Sequence, residues 1–182
     1  EISDIMAENR DHLIEMDSIV GDGDLGLTMG DGFKAAYEKV ADGSITDAGK
    51  LLYQAGKAMA SAVPSTMGTL MASGLMQAGK VLKGTEMLEN ADVAKLFEAY
   101  EAGVANRGKA KVGEKTFIDG IHPAVESLNA AAASGASLEE MAAGAVKAAE
   151  DGFKNTTTML AVHGRAATRG EASRSLEDPG AY

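Results

Sequence analysis

The 182-residue sequence contains no cysteine and no tryptophan, and only 4% of its residues are aromatic. Without cysteine, disulfide bonds and thiolate metal sites are excluded. No apolar run approaches the roughly 18 residues that a membrane span needs, and no signal peptide is recognisable, so we expect a cytoplasmic protein with no membrane partner. Positive charge is also scarce, with 17 Lys and Arg against 27 Asp and Glu. Because the net charge of −10 repels a polyanion, we expect no nucleic-acid partner.

Apolar residues recur at helical spacing along almost the whole chain. The clearest stripes lie within 48–62, 67–82, 93–104, 118–128 and 138–153. No stretch of five residues alternates apolar and polar side chains in the manner of a strand. We therefore predict an all-α protein, an antiparallel bundle or barrel of at least seven helices that forms one domain over residues 1–182.

Three local features refine this prediction. Ser137 and Glu140 form the capping box that begins the last helix, and Pro123 is expected in the first turn of its helix, where proline is tolerated. Two long polar segments that contain glycine, Gly103–Thr116 and Val162–Tyr182, are predicted to be loops. Long loops in compact domains often carry function.

The most informative stretch is Asp17-Ser-Ile-Val-Gly-Asp-Gly-Asp-Leu-Gly-Leu-Thr28, which places three carboxylates within eight residues. At roughly 5 Å and an effective dielectric constant of about 20, each pair of carboxylates repels by about 3 kcal/mol. Asp17, Asp22 and Asp24 are therefore candidate ligands of a cation, and oxygen ligands on a flexible loop suit magnesium or calcium. A solvated acidic turn that caps a helix is about equally well supported by these residues alone.

Three familiar motifs fit the chain only in part. Gly21–Gly26 matches the glycine pattern of dinucleotide-binding folds, but its flanks are predicted to be helical rather than a strand and a helix. An EF-hand loop starting at Asp22 would need glycine where Leu27 stands. Gly108–Thr116 resembles a P-loop, but Glu114 stands where lysine should follow the glycine. If the chain binds phosphate, it does so by another route.

That route begins after the carboxylates. From Asp24 the chain passes through Leu25–Thr28 into a predicted helix that ends near Ala41, so the amides of a helix N-terminus lie beside the carboxylates and form an anion site. A nucleoside triphosphate carries about four negative charges and the aspartates add three, so two divalent ions balance the charge better than one. We expect Asp17 to reach these ions from the end of a helix.

Four motifs occur in order: the run Glu15–Met29, Gly-Glu-Lys-Thr116 followed by Asp119, Gly-Arg-Ala166, and Asp-Pro-Gly-Ala181. Together they span nearly the whole chain and resemble the nucleotide-binding subunit of dihydroxyacetone kinases. The resemblance implies an eight-helix antiparallel barrel that holds ADP or ATP in loops at one end. It also implies that Asp17, Asp22 and Asp24 ligate two magnesium ions.

The same resemblance implies a set of nucleotide contacts. They are Leu25, Gly26, Leu27, Thr28, Ser65, Thr66, Gly108, Phe117, Arg165, Asp178 and Gly180. Arg165 also has a physical reason to bind phosphate, since a guanidinium offers two parallel donors, although a surface ion pair is an equal alternative. The chain departs from the family at Leu25, commonly His, at Thr28, commonly Asn, and at Ala62–Thr66, where Gly-Ala-Ser-Gly is usual. We expect nucleotide binding to be retained and leave the acceptor open.

The resemblance implies that the acceptor site lies on a partner. In this family a separate subunit or domain holds the hydroxyketone covalently through a histidine, so we expect no catalytic acceptor residue here and regard His12, His122 and His163 as structural or exposed. In one branch of the family ADP stays bound and is rephosphorylated by a phosphotransferase-system protein, whereas in the other ATP exchanges. Division of donor and acceptor sites suits phosphoryl transfer, which depends mainly on positioning and charge neutralisation.

We therefore predict a phosphotransferase subunit that binds magnesium and nucleotide and acts on dihydroxyacetone or a related small hydroxyketone or sugar. Two alternatives remain: a non-catalytic regulatory module of the same fold, and a purely structural helical bundle. A homodimer also remains open.

Overall fold

The computed structural model describes residues 1–182 and contains eight α-helices and no strand. The helices are α1 (Ile2–Glu8), α2 (Arg10–Val20), α3 (Leu25–Val40), α4 (Ala48–Ala62), α5 (Thr66–Val81), α6 (Asn90–Gly108), α7 (Phe117–Ala133) and α8 (Leu138–Asn155). The prediction of an all-α fold is confirmed. None of these helices combines the length and the apolar character needed to cross a membrane.

From α3 to α8, each helix packs against the next one in sequence. The short connections reverse the chain each time, which gives the up-and-down arrangement of an antiparallel bundle. The N-termini of α3, α5 and α7 therefore lie at the same end as the C-termini of α2, α4 and α6. This end carries the candidate functional site.

The main core lies between α3, α4, α5 and α6, and its centre is made of methionine and alanine. Met59, Met71 and Ala72 are at most 1% exposed. Helices α4 and α5 approach closely because Gly49 and Gly79 face each other: a Cβ atom at either position would lie 2.5 or 2.6 Å from the carbonyl oxygen of the other. Small residues thus allow the contact, and methionine fills the remaining space.

Two local predictions were wrong. Residues 103–108 belong to α6 rather than to a loop, because Gly103 packs against α5 and its lack of a side chain makes room for that contact. Pro123 lies in the second turn of α7, not the first. The carbonyl group of Asp119, whose usual partner in the helix would be the missing N–H of Pro123, faces Gly152 of α8 instead.

The C-terminal segment (residues 156–182) contains 3₁₀ turns but no α-helix. Its two fully buried side chains are polar: Thr156 and Ser173 are both 0% exposed. The Thr156 hydroxyl accepts a hydrogen bond from the Asp178 N–H at 3.2 Å, and the Ser173 hydroxyl donates to the Gly170 carbonyl at 2.7 Å. Hydrogen bonds, rather than a helix with an apolar stripe, therefore order this segment.

Candidate functional site

The three aspartates come together where α2 ends and α3 begins. Asp17 lies in the last turn of α2, as expected, and Asp22 and Asp24 follow in the turn to α3. Ligand oxygens from the three side chains all lie within 4.8 Å of one another. Opposite ligands of one six-coordinate magnesium are about 4.2 Å apart, so this spacing fits a divalent cation after small side-chain adjustments. We call these residues the aspartate cluster.

Two glycines shape the turn that holds the cluster. A side chain at Gly21 would overlap the Asp17 carboxylate, and Gly23 has a φ angle of +74°, in the region that favours glycine. The Asp17 carboxylate also accepts a hydrogen bond from the Leu25 N–H at 3.2 Å. Asp17 thus belongs to the aspartate cluster and also caps α3. Leu25–Thr28, which were predicted to lead into the helix, form the first turn of α3.

The cluster carries more negative charge than its surroundings compensate. Burial raises the pKa of Asp24, and the neighbouring Asp22 and Asp17 raise it further, whereas Arg165 lowers it. Arg165 Nη2 lies 2.6 Å from Asp22 Oδ2 and is the cation that faces the cluster. One guanidinium does not balance three carboxylates, so a divalent ion would stabilise this arrangement.

A cleft of about 640 Å³ opens beside the aspartate cluster. Its lining includes the cluster and eight of the predicted nucleotide contacts: Leu25, Ser65, Thr66, Gly108, Phe117, Arg165, Asp178 and Gly180. Small-molecule sites commonly have volumes of about 300–1,000 Å³. The fold therefore brings residues from distant parts of the sequence to one cleft of suitable size.

The three other predicted contacts lie next to this cleft rather than in its lining. Leu27 and Thr28 border an adjoining hollow of about 250 Å³, and the Thr28 hydroxyl donates to Ser65 Oγ at 3.2 Å. Gly26 faces α2, where a side chain would collide with the Arg10 carbonyl group. Of the Leu25–Thr28 turn, only Leu25 reaches the large cleft.

Three helix N-termini meet at the cleft. Leu25, Thr66 and Phe117 are the first residues of α3, α5 and α7, and all three line it. Ser65 caps α5 by accepting a hydrogen bond from the Gly68 N–H at 3.0 Å, and Thr116 caps α7. Amide groups of the first turns and the aligned helix dipoles attract negative charge. The cleft therefore suits an anion with several charges.

The apolar part of the cleft could not be recognised in the sequence. Met67, Leu70, Val104 and Ile118 all belong to its lining. They stand in the stripes assigned to the core, at the end of the bundle where those stripes meet the cleft. Which end of a stripe faces a cleft depends on how the helices assemble, so the one-dimensional pattern carries no sign of it.

Glu114, the residue that disrupts the P-loop pattern, joins two loops beside the cleft. His163 Nε2 lies 2.6 Å from Glu114 Oε2, and the Lys111 N–H donates to the same carboxylate at 2.8 Å. These hydrogen bonds, the first from His163, lower the pKa of Glu114. His163 itself lines the cleft, whereas His12 packs on Tyr182 outside it.

Asp178 contributes an unusual acceptor to the cleft. It is 8% exposed, and its Oδ2 atom is buried without a hydrogen-bond partner. Burial raises the pKa of Asp178 to about 7, although the Ala181 amide and the Lys115 charge act in the opposite direction. A buried carboxylate oxygen without a hydrogen-bond partner is costly, so burial favours the protonated, neutral form of this carboxyl group.

The chain is similar in sequence to known proteins over most of its length. Residues 19–182 match the DAK2 domain family. The chain is 33% identical over 178 residues to the ADP-binding subunit DhaL of the PEP-dependent dihydroxyacetone kinase of Escherichia coli (strain K12), covering 98% of this chain and 85% of that one. It is 32% identical over 180 residues to an L-erythrulose kinase of Pectobacterium atrosepticum, covering 98% of this chain but only 30% of that longer protein.

The structural comparison shows the same fold. Two crystal structures of the dihydroxyacetone kinase of C. freundii, the native form and a complex with AMP-PNP and Mg²⁺, match with TM-scores of 0.74 and 0.73. Sequence identities are 23% and 22%, and each match covers 99% of this chain and 30% of the other. The all-helical fold therefore occurs as one part of a longer kinase chain.

Proposed function

The chain belongs to the DAK2 domain family, the family of the ADP-binding subunits of dihydroxyacetone kinases, and from that premise we propose that it is a nucleotide- and magnesium-binding kinase subunit. The phosphoryl group would pass from the nucleotide to dihydroxyacetone, or to a related small hydroxyketone or sugar, held on a partner subunit. The observation that carries this proposal is the aspartate cluster beside a cleft that three helix N-termini also line.

The aspartate cluster would hold the metal. Asp17, Asp22 and Asp24 offer hard oxygen ligands. Burial first, and then the charges of Asp22 and Asp17, raise the pKa of Asp24, and a cation would compensate the charge. Charge balance with a nucleotide favours two magnesium ions. When bound, these ions would neutralise charge on the phosphates. Arg165, already 2.6 Å from Asp22, would exchange part of that ion pair for a phosphate contact.

The remaining lining suits the rest of a nucleotide. Amides at the N-termini of α3 and α5 would bind phosphate oxygens, and Ser65 and Thr66 add hydroxyl groups at that position. The apolar surface of Met67, Leu70 and Ile118 would cover the base. Nucleotide binding thus uses every kind of surface in the cleft.

The acceptor and the phosphoryl donor would come from partners. Relatives of this chain include a subunit of a PEP-dependent dihydroxyacetone kinase and an L-erythrulose kinase, so dihydroxyacetone and erythrulose are the acceptors to test first. A hydroxyketone-binding subunit would supply the acceptor site, and a phosphotransferase-system protein could rephosphorylate bound ADP. We place these reactions in the cytoplasm.

Calorimetry with ADP and ATP, with and without magnesium, tests the proposal. We expect magnesium-dependent binding by the wild type and its loss in an Asp22→Ala, Asp24→Ala double variant. Nucleotide at 100 times its dissociation constant should stabilise the wild type by about 2.7 kcal/mol. An Asp4→Ala, Asp11→Ala double variant is the matched control, since it removes two exposed carboxylates outside the cleft.

Two results would contradict the proposal. Unchanged affinity in the Asp22→Ala, Asp24→Ala variant would exclude the aspartate cluster as the metal site. Magnesium-dependent nucleotide binding without turnover, in mixtures with hydroxyketone-binding subunits and either acceptor, would favour the non-catalytic regulatory module.

A further inference from the structure

We propose that Lys115 is a positioning residue for the nucleotide: its buried ammonium group fastens the C-terminal segment so that Asp178 and Gly180 keep their places in the cleft. This inference rests on the proposed nucleotide binding, but it assigns a role to a side chain that acts through other residues.

Lys115 is 2% exposed, which is exceptional for a lysine. Its Nζ atom donates hydrogen bonds to the carbonyl groups of Thr156, at 2.7 Å, and Arg174, at 3.1 Å, and to that of Leu176. The three protons of the ammonium group thus have three backbone acceptors. A buried charge is tolerated only when its hydrogen bonds are satisfied, so this arrangement depends on all three carbonyl groups.

The three acceptors belong to the segment that carries Asp178. Residues 174 and 176 lead directly into the Asp178–Gly180 turn, and Thr156 also accepts a hydrogen bond from the Asp178 N–H through its hydroxyl group. At the other side, Lys115 immediately precedes Thr116, the cap of α7. One side chain therefore ties the N-terminus of α7 to both ends of the C-terminal segment.

The backbone conformation of Lys115 is also consistent with a functional role for its side chain. Its φ angle is +60°, in the left-handed region where a residue other than glycine carries a cost. Strain of this kind persists where the surroundings hold the residue firmly, and it clusters at functional sites. The hydrogen bonds to the three carbonyl groups hold Lys115 in this conformation.

The fit between the fastened turn and α7 is close. A Cβ atom at Gly120 of α7 would collide with the Ala181 carbonyl oxygen, so the turn and α7 are in contact at a position where only glycine fits. The segment has no α-helix of its own to resist displacement. If the ammonium group were lost, we expect the turn to move, so that Asp178 and Gly180 no longer keep their places in the lining of the cleft.

The absence of cysteine from the chain allows a direct test. The Lys115→Cys variant is denatured and divided into two halves. One half is aminoethylated, which restores an ammonium group at nearly the length of lysine. The other half is carbamidomethylated, which leaves the side chain neutral. After refolding, ADP binding with magnesium is measured by calorimetry. Binding of Mn²⁺ alone is measured by electron paramagnetic resonance, and hydrogen exchange is followed at residues 174–181.

We expect the neutral form to bind ADP at least about tenfold more weakly than the wild type, with Mn²⁺ affinity unchanged within about twofold and faster exchange at residues 174–181. The aminoethylated form should recover ADP affinity and protection. Lys111→Cys, treated in the same two ways, is the control, because it places the same groups at an exposed position of the same loop. Both of its forms should bind ADP as the wild type does.

Equal ADP affinity in the two forms of Lys115→Cys would overturn the inference. So would a parallel loss of ADP and Mn²⁺ binding, since that indicates general damage. If the neutral form fails to refold, the Lys115→Met variant takes its place, because methionine fills a similar volume without the charge. Its ADP and Mn²⁺ affinities are then compared with those of the wild type in the same way. Wild-type protein that binds Mn²⁺ but no ADP would instead refute the proposed function, while hydrogen exchange would still report on the fastening by Lys115.

Discussion

In the helical bundle, the largest fully buried side chains are apolar, as Met59 and Met71 show, whereas in the C-terminal segment the fully buried side chains are Thr156 and Ser173. The bundle gains stability from contacts without preferred direction, so it tolerates small shifts between its helices. The C-terminal segment depends on hydrogen bonds with fixed geometry, and each one lost leaves a buried group without a partner.

This difference separates stability from positioning. The bundle sets the end of the molecule where the helix N-termini meet, and it should unfold as one cooperative unit. The C-terminal segment places Asp178 and Gly180 in the cleft, and segments with few apolar contacts open locally at lower cost. Substitutions in the bundle should therefore lower global stability, whereas those in the segment should alter ligand binding or, at the buried Asp178, the pH dependence of stability.

Met71→Ala should have the largest effect on global stability. Met71 is 1% exposed, and its Sδ atom lies 3.0 Å from the Tyr100 hydroxyl, which donates to it. Loss of the side chain leaves a cavity and an unpaired hydroxyl group, so we expect the free energy of unfolding to fall by about 2–5 kcal/mol. Urea unfolding monitored by circular dichroism measures this change.

The matched control is Met87→Ala, because Met87 is 82% exposed. It should change the free energy of unfolding by less than about 0.5 kcal/mol. Equal effects of the two substitutions would show that the bundle is not held by its apolar centre.

Asp178→Asn should change the pH dependence of stability. Because the pKa of Asp178 is raised to about 7 in the folded protein, from 3.8, the folded state holds this proton more tightly than the unfolded state. Its contribution to stability is therefore greatest at low pH and is lost as the pH rises towards 7. The unfolding free energy of the wild type, minus that of the variant, should fall by on the order of 2–3 kcal/mol between about pH 5 and pH 8.

Asparagine keeps the shape of the side chain and does not titrate. The contributions of all other titrating groups therefore cancel when the unfolding free energies of the two proteins are subtracted. Urea unfolding of both proteins across the pH range provides the measurement. A difference independent of pH would mean that Asp178 ionises as it does in the unfolded chain. Burial in the C-terminal segment would then have no effect on the pKa of this carboxyl group.

Arg165→Ala should have the smallest effect on stability. The Arg165 and Asp22 side chains, 2.6 Å apart, are 68% and 40% exposed, and such surface pairs contribute at most about 1 kcal/mol. The proposed phosphate contact nevertheless predicts weaker ADP binding. Lys147→Ala is the control, since it breaks the exposed pair with Asp151 on α8, a helix that contributes no residue to the lining of the cleft. Equal ADP affinity in the two variants would leave Arg165 with only its surface ion pair.

The bundle and the C-terminal segment differ in how far they can be predicted from the sequence, for a physical reason. Helices α4 to α8 could be predicted because burial of one face imposes a spacing of three and four residues, visible in stripes such as the one in 48–62. The aspartate cluster could be recognised because Asp17, Asp22 and Asp24 are close in sequence and repel each other. Both kinds of information are local.

The burial of Lys115 could not be predicted, since its three acceptors lie 41 to 61 residues away. The pattern also gave no reason to assign Leu70 or Val104 to a cleft rather than to the core. Family resemblance supplied Asp178 and Gly180 as candidate contacts, but not the unpartnered carboxylate oxygen, which arises from burial.

By itself, the sequence determined the all-helical fold, the position of the aspartate cluster at a helix end and the excess of negative charge that calls for a cation, because each depends on residues within a few positions of one another. Only the tertiary structure decided which helix ends meet, that Met67 and Ile118 line a cleft with Arg165, and that Lys115 fastens the segment beside Asp178. These features depend on groups that are distant in sequence and adjacent only after the helices have packed.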